Sequence, residues 1–471
     1  MASAERHYSW SWDLASSPEA LWPLVSDTDH FNRDCGYPAV VVVPAEEIKG
    51  PRVPDSRRLR ARHLGITVEW DERPFEWLAP RRFGVDRVFL RGPFARIRAL
   101  CELAPLAPAG TRLTYRTWFT PAGMMGKLAL AAGGADWTFR RPFDRTFRLY
   151  DRLARSGRRP LARAGAALSP GGGLRLAAIE QALVSDGAQP PALVDRLAEY
   201  VTRSDDLAVQ RIRAYALADE WQSDRRETLK LCLHATRTGL LDFRWDVICP
   251  HCRGAKVVVG SLYDLKPEAY CDTCEIDFIA NFDRSIELSF TPSAAIRRVE
   301  RVEYCVGGPQ LTPHVVAQQV LAARSTATFP LPRQPGRFRV RTGKGGHLHP
   351  LRVETGGAGR ATVALDAAAA PESELTLEPG AELTLDNRSD SDLRVMIEHL
   401  AWSDQATTAS EVTALQVFRD LFSREVLRPG RQVSVSNLTV LFTDLKGSTQ
   451  LYLEIGDAPA FGRVLTHTNP P

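Results

Sequence analysis

Residues 137–153 read Trp-Thr-Phe-Arg-Arg-Pro-Phe-Asp-Arg-Thr-Phe-Arg-Leu-Tyr-Asp-Arg-Leu, and this stretch decides the fold of roughly the first third of the chain. Its apolar residues recur at helical spacing, with arginines and aspartates between them. This pattern predicts a long amphipathic helix. Such a helix needs an apolar surface to cover, and the preceding residues supply alternating strands that suit this role.

Those preceding residues alternate apolar and polar side chains in several short runs. The first run, residues 7–14, alternates aromatic and polar residues as a half-buried strand does. Ser17 then precedes Pro18 and Glu19, a combination typical of the start of a helix. Further strands are predicted at residues 39–43, 58–70, 83–90, 94–104 and 111–119. These elements predict one α+β domain over residues 1–155.

The order of a strand, short helices, antiparallel strands and a long final helix resembles the START/polyketide-cyclase helix-grip superfamily. The resemblance implies a sheet wrapped around the final helix, with an apolar cavity that binds a small apolar ligand in some members. The residues expected to line the cavity are aromatic: Trp118, Phe119, Phe143 and Phe147. The alternative is a core that these side chains fill completely.

Two CxxC motifs lie near the middle of the chain. They are Cys249-Pro-His-Cys252 and Cys271-Asp-Thr-Cys274. Each CxxC turn directs two thiolates toward one point, and two such turns complete a tetrahedral Zn²⁺ site. Four thiolates leave no open coordination position, so we predict a structural zinc ribbon. Thioredoxin-like redox chemistry is the alternative, and the presence of two pairs argues against it.

Changes of pattern along the chain predict a multidomain α+β protein. The predicted segments after the first domain are a linker with a helix at 156–189, a helical region at 190–248, the zinc ribbon at 249–283, a β-rich sandwich-like domain at 284–402, a connecting helix at 403–432 and a final βα unit at 433–471. Residues 205–238 are expected to form two helices or one long helix. Pro379-Gly380 is expected to separate two strands.

The final segment contains Val-Leu-Phe-Thr-Asp-Leu-Lys-Gly-Ser-Thr at residues 440–449. Residues 433–442 predict a buried strand, and Gly447-Ser448-Thr449 begin an apolar-periodic helix. Asp444 then lies at the strand's tip, where a carboxylate can hold Mg²⁺ while the helix-start amides bind a phosphate. The commoner interpretation of such a junction is an ordinary capped turn between a strand and a helix.

The same residues resemble the first metal-binding element of class III adenylate/guanylate cyclases. The resemblance implies Mg²⁺ or Mn²⁺ bound by Asp444 and the Leu445 carbonyl. It also implies that the triphosphate of ATP lies near Gly447, Ser448 and Thr449, and that a full-length homodimer makes cyclic AMP. Residues 190–425 resemble the uncharacterised domain that precedes the cyclase domain in some bacterial cyclases. The protein would then be the regulatory portion of such an enzyme.

The second metal-binding carboxylate of these cyclases comes from a later Gly-Asp hairpin. Gly456-Asp457 lies inside the first predicted helix and is too near to serve as that pair. We therefore expect a truncated catalytic domain and no cyclase activity from the chain as given. The alternative is a stand-alone module that binds a hydrophobic ligand and has a structural zinc site but no catalysis.

The composition is that of an ordinary globular protein, with 44% hydrophobic and 25% charged residues. A net charge of +4 is small for 471 residues and does not indicate a nucleic-acid surface. We expect neither a membrane span nor a secretory leader, because no apolar run approaches 18 residues and no basic-then-apolar segment opens the sequence. Four of the eight cysteines lie in CxxC motifs, which suits a reducing compartment. We expect a cytoplasmic protein with neither nucleic-acid nor membrane partners.

Overall fold

The computed structural model describes residues 5–51, 53, 55–63, 65–131, 139–156, 167–185, 189–271, 274, 276–300, 302–343, 348–365, 374–400, 405–425, 427 and 446–468. The chain forms two compact units, Met1–Ser434 and Val435–Pro471. The protein is of the mixed α+β class, with one large sheet. None of the described helices is both long and apolar enough to cross a bilayer.

Residues 5–156, called here the helix-grip part because their strands pack against one long helix at the C-terminal end, are built on antiparallel strands. Its strands are β1 (Arg6–Leu14), β2 (Val40–Val42), β3 (Arg57–His63), β4 (Ile66–Glu72), β5 (Glu76–Leu78), β6 (Arg82–Arg91), β7 (Phe94–Pro105) and β8 (Thr111–Pro121). Its helices are α1 (Pro18–Val25), α2 (Thr28–Asp34), α3 (Gly123–Ala131) and α4 (Arg141–Ser156). The strands pair in the order β2-β3-β4-β6-β7-β8-β1, and β5 pairs with the other end of β6. The Ser17 side chain caps α1 by accepting from the Ala20 amide at 3.3 Å, as the sequence predicts.

The helical part, residues 167–240, packs on a three-stranded sheet. Its helices are α5 (Gly172–Ser185), α6 (Pro191–Arg203), α7 (Asp206–Val209), α8 (Ala214–Trp221) and α9 (Arg225–Arg237). The strands that follow are β9 (Leu241–Ile248), β10 (Ala255–Val259), β11 (Glu268–Cys271), β12 (Ile276–Ile279) and β13 (Ile286–Pro292). The sheet has the order β10-β9-β13, while β11 and β12 form a separate hairpin. Buried Trp245, Leu288 and Phe290 of the sheet belong to one core with α6, α8 and α9.

Residues 205–238 form three helices rather than one or two. The chain leaves the helical conformation before α8, where Ile212 pairs with Phe290 of β13 through their backbones. It breaks again at Gln222, whose φ of +54° is left-handed. Hydrogen bonding to a neighbouring strand therefore outweighs the helical periodicity of this segment.

The β-rich part, residues 315–399, continues the large sheet. Its strands are β14 (Val315–Leu321), β15 (Thr326–Pro330), β16 (Gly336–Thr342), β17 (Leu348–Leu365), β18 (Leu375–Asn387) and β19 (Leu393–His399). They pair in the order β14-β19-β16-β17-β18-β15, and β14 also pairs with β5 of the helix-grip part. The large sheet therefore spans two parts that the sequence pattern separates.

Two features of the predicted β-rich domain differ in the structure. Residues 286–292 pair with β9 as strand β13, because their buried face completes the core of the helical part. Pro379-Gly380 does not separate two strands, since β18 runs through both residues. Gly380 accommodates this course with a φ of +82°, which glycine adopts without strain.

The segment after the β-rich part returns to the helical part. Helices α10 (Ala409–Ala414) and α11 (Gln416–Leu421) place Val412 and Phe418 in the same core as α9. Phe243 and Phe422 add a ring contact with centroids 4.6 Å apart. The predicted connecting segment is therefore a structural component of the first unit.

In the second unit the structure describes two helices, α12 (Ser448–Ile455) and α13 (Asp457–Thr468). Gly447, with a φ of +77°, precedes α12. Gly456, with a φ of +81°, separates the two helices, so the single predicted helix is interrupted there. The predicted strand at residues 433–442 lies outside the described residues.

Candidate ligand cleft and metal centre

Three of the four predicted cavity residues of the helix-grip part are buried in a packed aromatic core. Phe119, Phe143 and Phe147 are 0%, 2% and 0% exposed. The Phe147 ring lies 5.0 Å from that of Trp12 and 5.2 Å from that of Phe31. These rings occupy the space between α4 and the sheet where a cavity was expected.

Trp118 does not belong to this core. Successive residues of a strand point to opposite faces of the sheet, so Trp118 and Phe119 cannot line the same volume. The Trp118 ring stacks on His7 at 5.0 Å and lies under the guanidinium of Arg98 at 5.1 Å. It therefore covers the outer face of the sheet. Trp137, which the sequence places at the start of the long helix, lies outside the described residues.

A cleft of about 1030 Å³ lies between the helix-grip part and the helical part. One wall comes from α1, α2 and α4, and the other from α6, α7 and α8. This volume is at the upper end of the range typical of small-molecule sites. Both walls belong to the first compact unit.

The first wall carries a stripe on the side of α4 that faces away from the sheet. Arg145, Leu149, Arg152 and Leu153 all line the cleft. Their spacing of four, seven and eight residues from Arg145 puts them on one face of the helix. Both arginines are exposed, whereas both leucines are half-buried. The stripe therefore presents apolar surface and positive charge side by side.

The opposite wall carries an apolar patch beside polar and charged side chains. It presents Leu207, Ala208, Ala216 and Leu217, together with the ring of Tyr200. The Tyr200 hydroxyl donates to the Ala208 carbonyl at 3.1 Å, which fixes the ring against α7. Apolar surface thus faces the stripe on α4 across the cleft.

An ion pair joins the two walls. Arg33 of α2 contacts Asp205, the N-cap of α7, with Nη1 and Oδ1 2.7 Å apart. Arg33 also contacts Asp34, whose other oxygen accepts from the Tyr150 hydroxyl at 2.8 Å. Burial, and secondarily Asp34, raise the pKa of Tyr150, so its phenol stays protonated and donates this hydrogen bond.

Two buried carboxylates form a charge network with arginines that line the cleft. Asp246 and Glu287 are 0% and 2% exposed and accept from arginines that line the cleft. Arg211 reaches both carboxylates, at 2.7 Å and 3.1 Å, and Arg213 lies 2.5 Å from Glu287. Arg244 adds a contact to Asp246 at 2.9 Å. The network orients Arg211 and Arg213 without leaving a buried charge unpaired.

The four predicted zinc ligands converge. Cys249, Cys252, Cys271 and Cys274 are all buried, and their sulfur atoms lie within 4.8 Å of one another. The Cys252 and Cys271 sulfurs are 3.6 Å apart, close to the spacing of about 3.8 Å that Zn–S bonds of about 2.3 Å produce in a tetrahedron. The cluster is therefore close enough to bind a metal such as zinc.

Backbone amides donate hydrogen bonds to two of these four sulfur atoms. The His251 amide donates to the Cys249 sulfur at 3.4 Å, and the Cys274 amide donates to the Cys271 sulfur at 3.3 Å. The Arg253 amide donates to the Cys249 carbonyl at 2.9 Å. The left-handed φ of Arg253, +55°, then turns the chain so that the Gly254 carbonyl accepts from the Cys249 amide at 3.1 Å. Amide donors favour thiolates, the form that coordinates zinc.

His251 faces the β-rich part rather than acting as a metal ligand. Its carbonyl lies 3.0 Å from Nε2 of His314. Nearby, Glu398 is fully buried and accepts from Arg339 at 2.6 Å and from Arg341 at 2.8 Å. Burial alone would raise the pKa of Glu398, but the two arginines outweigh it and hold this pKa below its ordinary value.

The residues predicted to bind Mg²⁺ or Mn²⁺, Asp444 and Leu445, lie outside the described residues. Gly447, Ser448 and Thr449 are described. Gly447 leads into α12, and Ser448 and Thr449 form its first turn. Their assignment to a nucleotide phosphate stays a prediction.

Sequence reasoning missed the cleft because its walls are distant in sequence. Leu149 and Leu217, for instance, are linked by no motif. One signal was present, since Arg145, Leu149, Arg152 and Leu153 form a second helical stripe beside the aromatic one. Asp246 and Glu287 carried no signal, because single acidic residues in apolar strands are not diagnostic.

A comparison with known protein families matches one segment of the chain. Residues 178–305 match DUF5939, a family of unknown function. The match overlaps the predicted helical region and zinc ribbon. None of the curated proteins matches the chain.

Several solved structures are similar to about a third of the chain. A Rhizobium loti protein is 18% identical with a TM-score of 0.23, over 32% of this chain and 99% of that one. A Thermus thermophilus protein is 16% identical with a TM-score of 0.24, over 33% and 100%. The Zhui aromatase/cyclase of a Streptomyces species is 17% identical with a TM-score of 0.21, over 32% and 91%.

Proposed function

We propose that the first unit is a ligand-binding module and that the cleft between its helix-grip and helical parts is the binding site. The cleft itself carries this proposal, because it combines apolar walls with a few fixed polar groups in a volume suited to a small molecule. Among the described residues of the helix-grip part, aromatic rings pack against one another between α4 and the sheet. A ligand is therefore expected on the outer side of α4.

A neutral apolar dye tests this proposal without assuming a charged ligand. Nile red should bind the purified protein with increased fluorescence. Ala216 lines the cleft, so Ala216→Trp should fill part of it and weaken binding by at least about tenfold. Ala192→Trp is the matched control, because Ala192 is exposed on α6 outside the cleft. Equal binding by both variants would contradict the proposal.

We also propose that the four cysteines bind one structural Zn²⁺. The support is the donor set, because four buried thiols with amide donors complete a closed tetrahedral shell. The metal would secure the β11–β12 hairpin and hold the first knuckle in place, from which His251 contacts His314 of the β-rich part. It would have no catalytic role.

A second proposed function concerns the whole polypeptide. Residues 442–449 favour a regulatory role beside a class III nucleotidyl cyclase domain, and the start of α12 directly after Gly447 is compatible with that motif. The full-length form would be an ATP-dependent homodimer. The test joins residues 1–432 to a complete cyclase domain of this class. Cyclic AMP formation that changes when Nile red saturates the cleft would support regulation. An unchanged rate in the saturated chimera would refute it.

A further inference from the structure

We propose that the cleft selects amphipathic anions, meaning molecules with an apolar body and a carboxylate or phosphate head. This inference rests on the proposed ligand-binding function and specifies its ligand class. The head group would contact Arg145 and Arg152 of α4, and the apolar body would lie along Leu149 and Leu153.

Two of the acidic side chains of the cleft are partly neutralised from within the protein. Asp34 and Asp205 both contact Arg33, at 2.8 Å and 2.7 Å. Asp34 and Asp205 therefore share one positive charge and repel an incoming anion less than isolated carboxylates would. Asp27 lies 2.8 Å from Nδ1 of His30, and a neutral imidazole leaves its charge in place. A fourth, Glu220, is exposed at the C-terminal end of α8.

Arg145 and Arg152 differ from the other arginines of the cleft. Arg33, Arg211 and Arg213 each contact a carboxylate. Arg145 donates instead to the Asp34 backbone carbonyl at 2.8 Å. Within the described part of the chain, neither Arg145 nor Arg152 forms an ion pair with a carboxylate. The positive charge of both side chains is thus available to a ligand.

The two arginines are placed to act together. Seven residues separate them along α4, which is two helical turns and about 10 Å. Two arginine side chains can span this distance toward a shared head group. A guanidinium binds carboxylate and phosphate oxygens through paired N–H donors, which favours an anion over a neutral hydroxyl. A cationic head group would be repelled at the same position.

The apolar body also has a defined place. Leu149 and Leu153 lie beside the arginines on α4, and Leu207 and Leu217 belong to the opposite wall. Each methylene that leaves water between these walls should tighten binding by up to roughly fourfold. A small inorganic anion lacks this contribution and should bind weakly.

Calorimetric titration with four probes that share a ten-carbon chain tests the selection. The probes are decanoate, decyl phosphate, decanol and decyltrimethylammonium, each below its micelle concentration. We expect both anions to bind at least about tenfold more tightly than decanol, and the cation most weakly. Preference for decanoate or for decyl phosphate distinguishes a carboxylate ligand from a phosphate ester.

Substitutions test whether Arg145 and Arg152 cause the preference for anions. Combining Arg145→Gln with Arg152→Gln should abolish the preference for both anions over decanol. Arg148→Gln is the control, because Arg148 is exposed on the same helix, pairs with Asp144 and does not line the cleft. Loss of preference in the control variant would overturn the assignment to Arg145 and Arg152.

Failure of this inference is distinguishable from failure of the proposed function. Equal binding of decanol and decanoate would refute anion selection while the ligand-binding function stands. If Nile red binding depends on Ala216 but neither anion binds, the ligand class is wrong. If neither Nile red nor any of the four probes binds, both proposals fail.

Discussion

The zinc ribbon should depend on its metal for its structure, and Cys271→Ser should remove that metal. Cys271 is fully buried, with its sulfur 3.6 Å from that of Cys252. The apolar support of the cysteine cluster comes from Ile276 and Phe278, both only partly buried. The substitution removes one thiolate from a closed four-ligand shell, and serine is a poor ligand for zinc.

The structure indicates how large the effect should be. Partial burial of Ile276 and Phe278 contributes about 1–2 kcal/mol for each side chain. A ribbon-type zinc site contributes on the order of 10 kcal/mol. The metal therefore dominates the local stability, and its loss should unfold the β11–β12 hairpin and the turn at Cys249–Cys252. The aromatic core around Phe147 has no direct contact with this site and should remain folded.

Metal analysis and hydrogen exchange together measure this outcome. The natively purified, reduced protein should contain one zinc per chain, and Cys271→Ser should contain none and exchange rapidly over residues 249–279. Cys232→Ser is the control, because Cys232 is equally buried but lies in the core of the helical part. It should lose stability but retain zinc. Metal-free wild-type protein with a protected hairpin would refute the reasoning.

Three further outcomes are expected. Phe147→Ala should lower the free energy of unfolding by about 3–5 kcal/mol, because it opens a packed aromatic core. Trp118→Ala on the outer face of the sheet should lower it by about 1 kcal/mol. Equal losses for the two variants would contradict the packing. Burial lowers the pKa of His314 to about 4 from 6.5. As pH falls from 6.5 to 4, His314 is therefore protonated in the unfolded chain before it is protonated in the folded protein. The free energy of unfolding should decrease by about 3 kcal/mol over this range. His314→Gln should flatten that pH dependence, and an unchanged profile would exclude His314 as its source. Glu398→Gln should cost about 3–5 kcal/mol in thermal or chemical unfolding, because it leaves Arg341 buried without its counter-ion; a smaller loss than that of Trp118→Ala would show that the network is dispensable.

Local patterns predicted much of the secondary structure. The alternation of residues 7–14 and the cap at Ser17 correspond to β1 and α1. The CxxC spacing brings four thiols together because each motif is a short local turn, and their convergence requires only one contact between the two turns. In such cases the determining interactions lie within a few residues of each other.

Long-range pairing was not visible in the sequence. Residues 286–292 alternate like the β-rich strands that follow them, yet they pair with β9. Strand β14 joins the helix-grip sheet through only two residue pairs with β5. An alternating pattern identifies which face of a strand is buried but not which strand is its neighbour. The cleft has the same origin, since it exists only where two distant helical surfaces meet.

Whether the aromatic interior contains a cavity was left open by the sequence for a related reason. Composition shows that Phe119, Phe143 and Phe147 are apolar and face inward, but whether they surround a void depends on how closely their rings approach. Trp12 and Phe31 close that space in the structure. Trp118 was misplaced although strand alternation alone assigns it to the other face.

Hydrogen exchange with bound ligand tests the central claim most directly. Saturating decanol or decanoate should slow exchange in α4, α7 and α8, the helices that form the two walls of the cleft. The strands β1, β7 and β8 should be unaffected, because the packed core separates them from the cleft. Protection confined to those strands, with no change in α7 and α8, would place the ligand inside the helix-grip part and contradict the account.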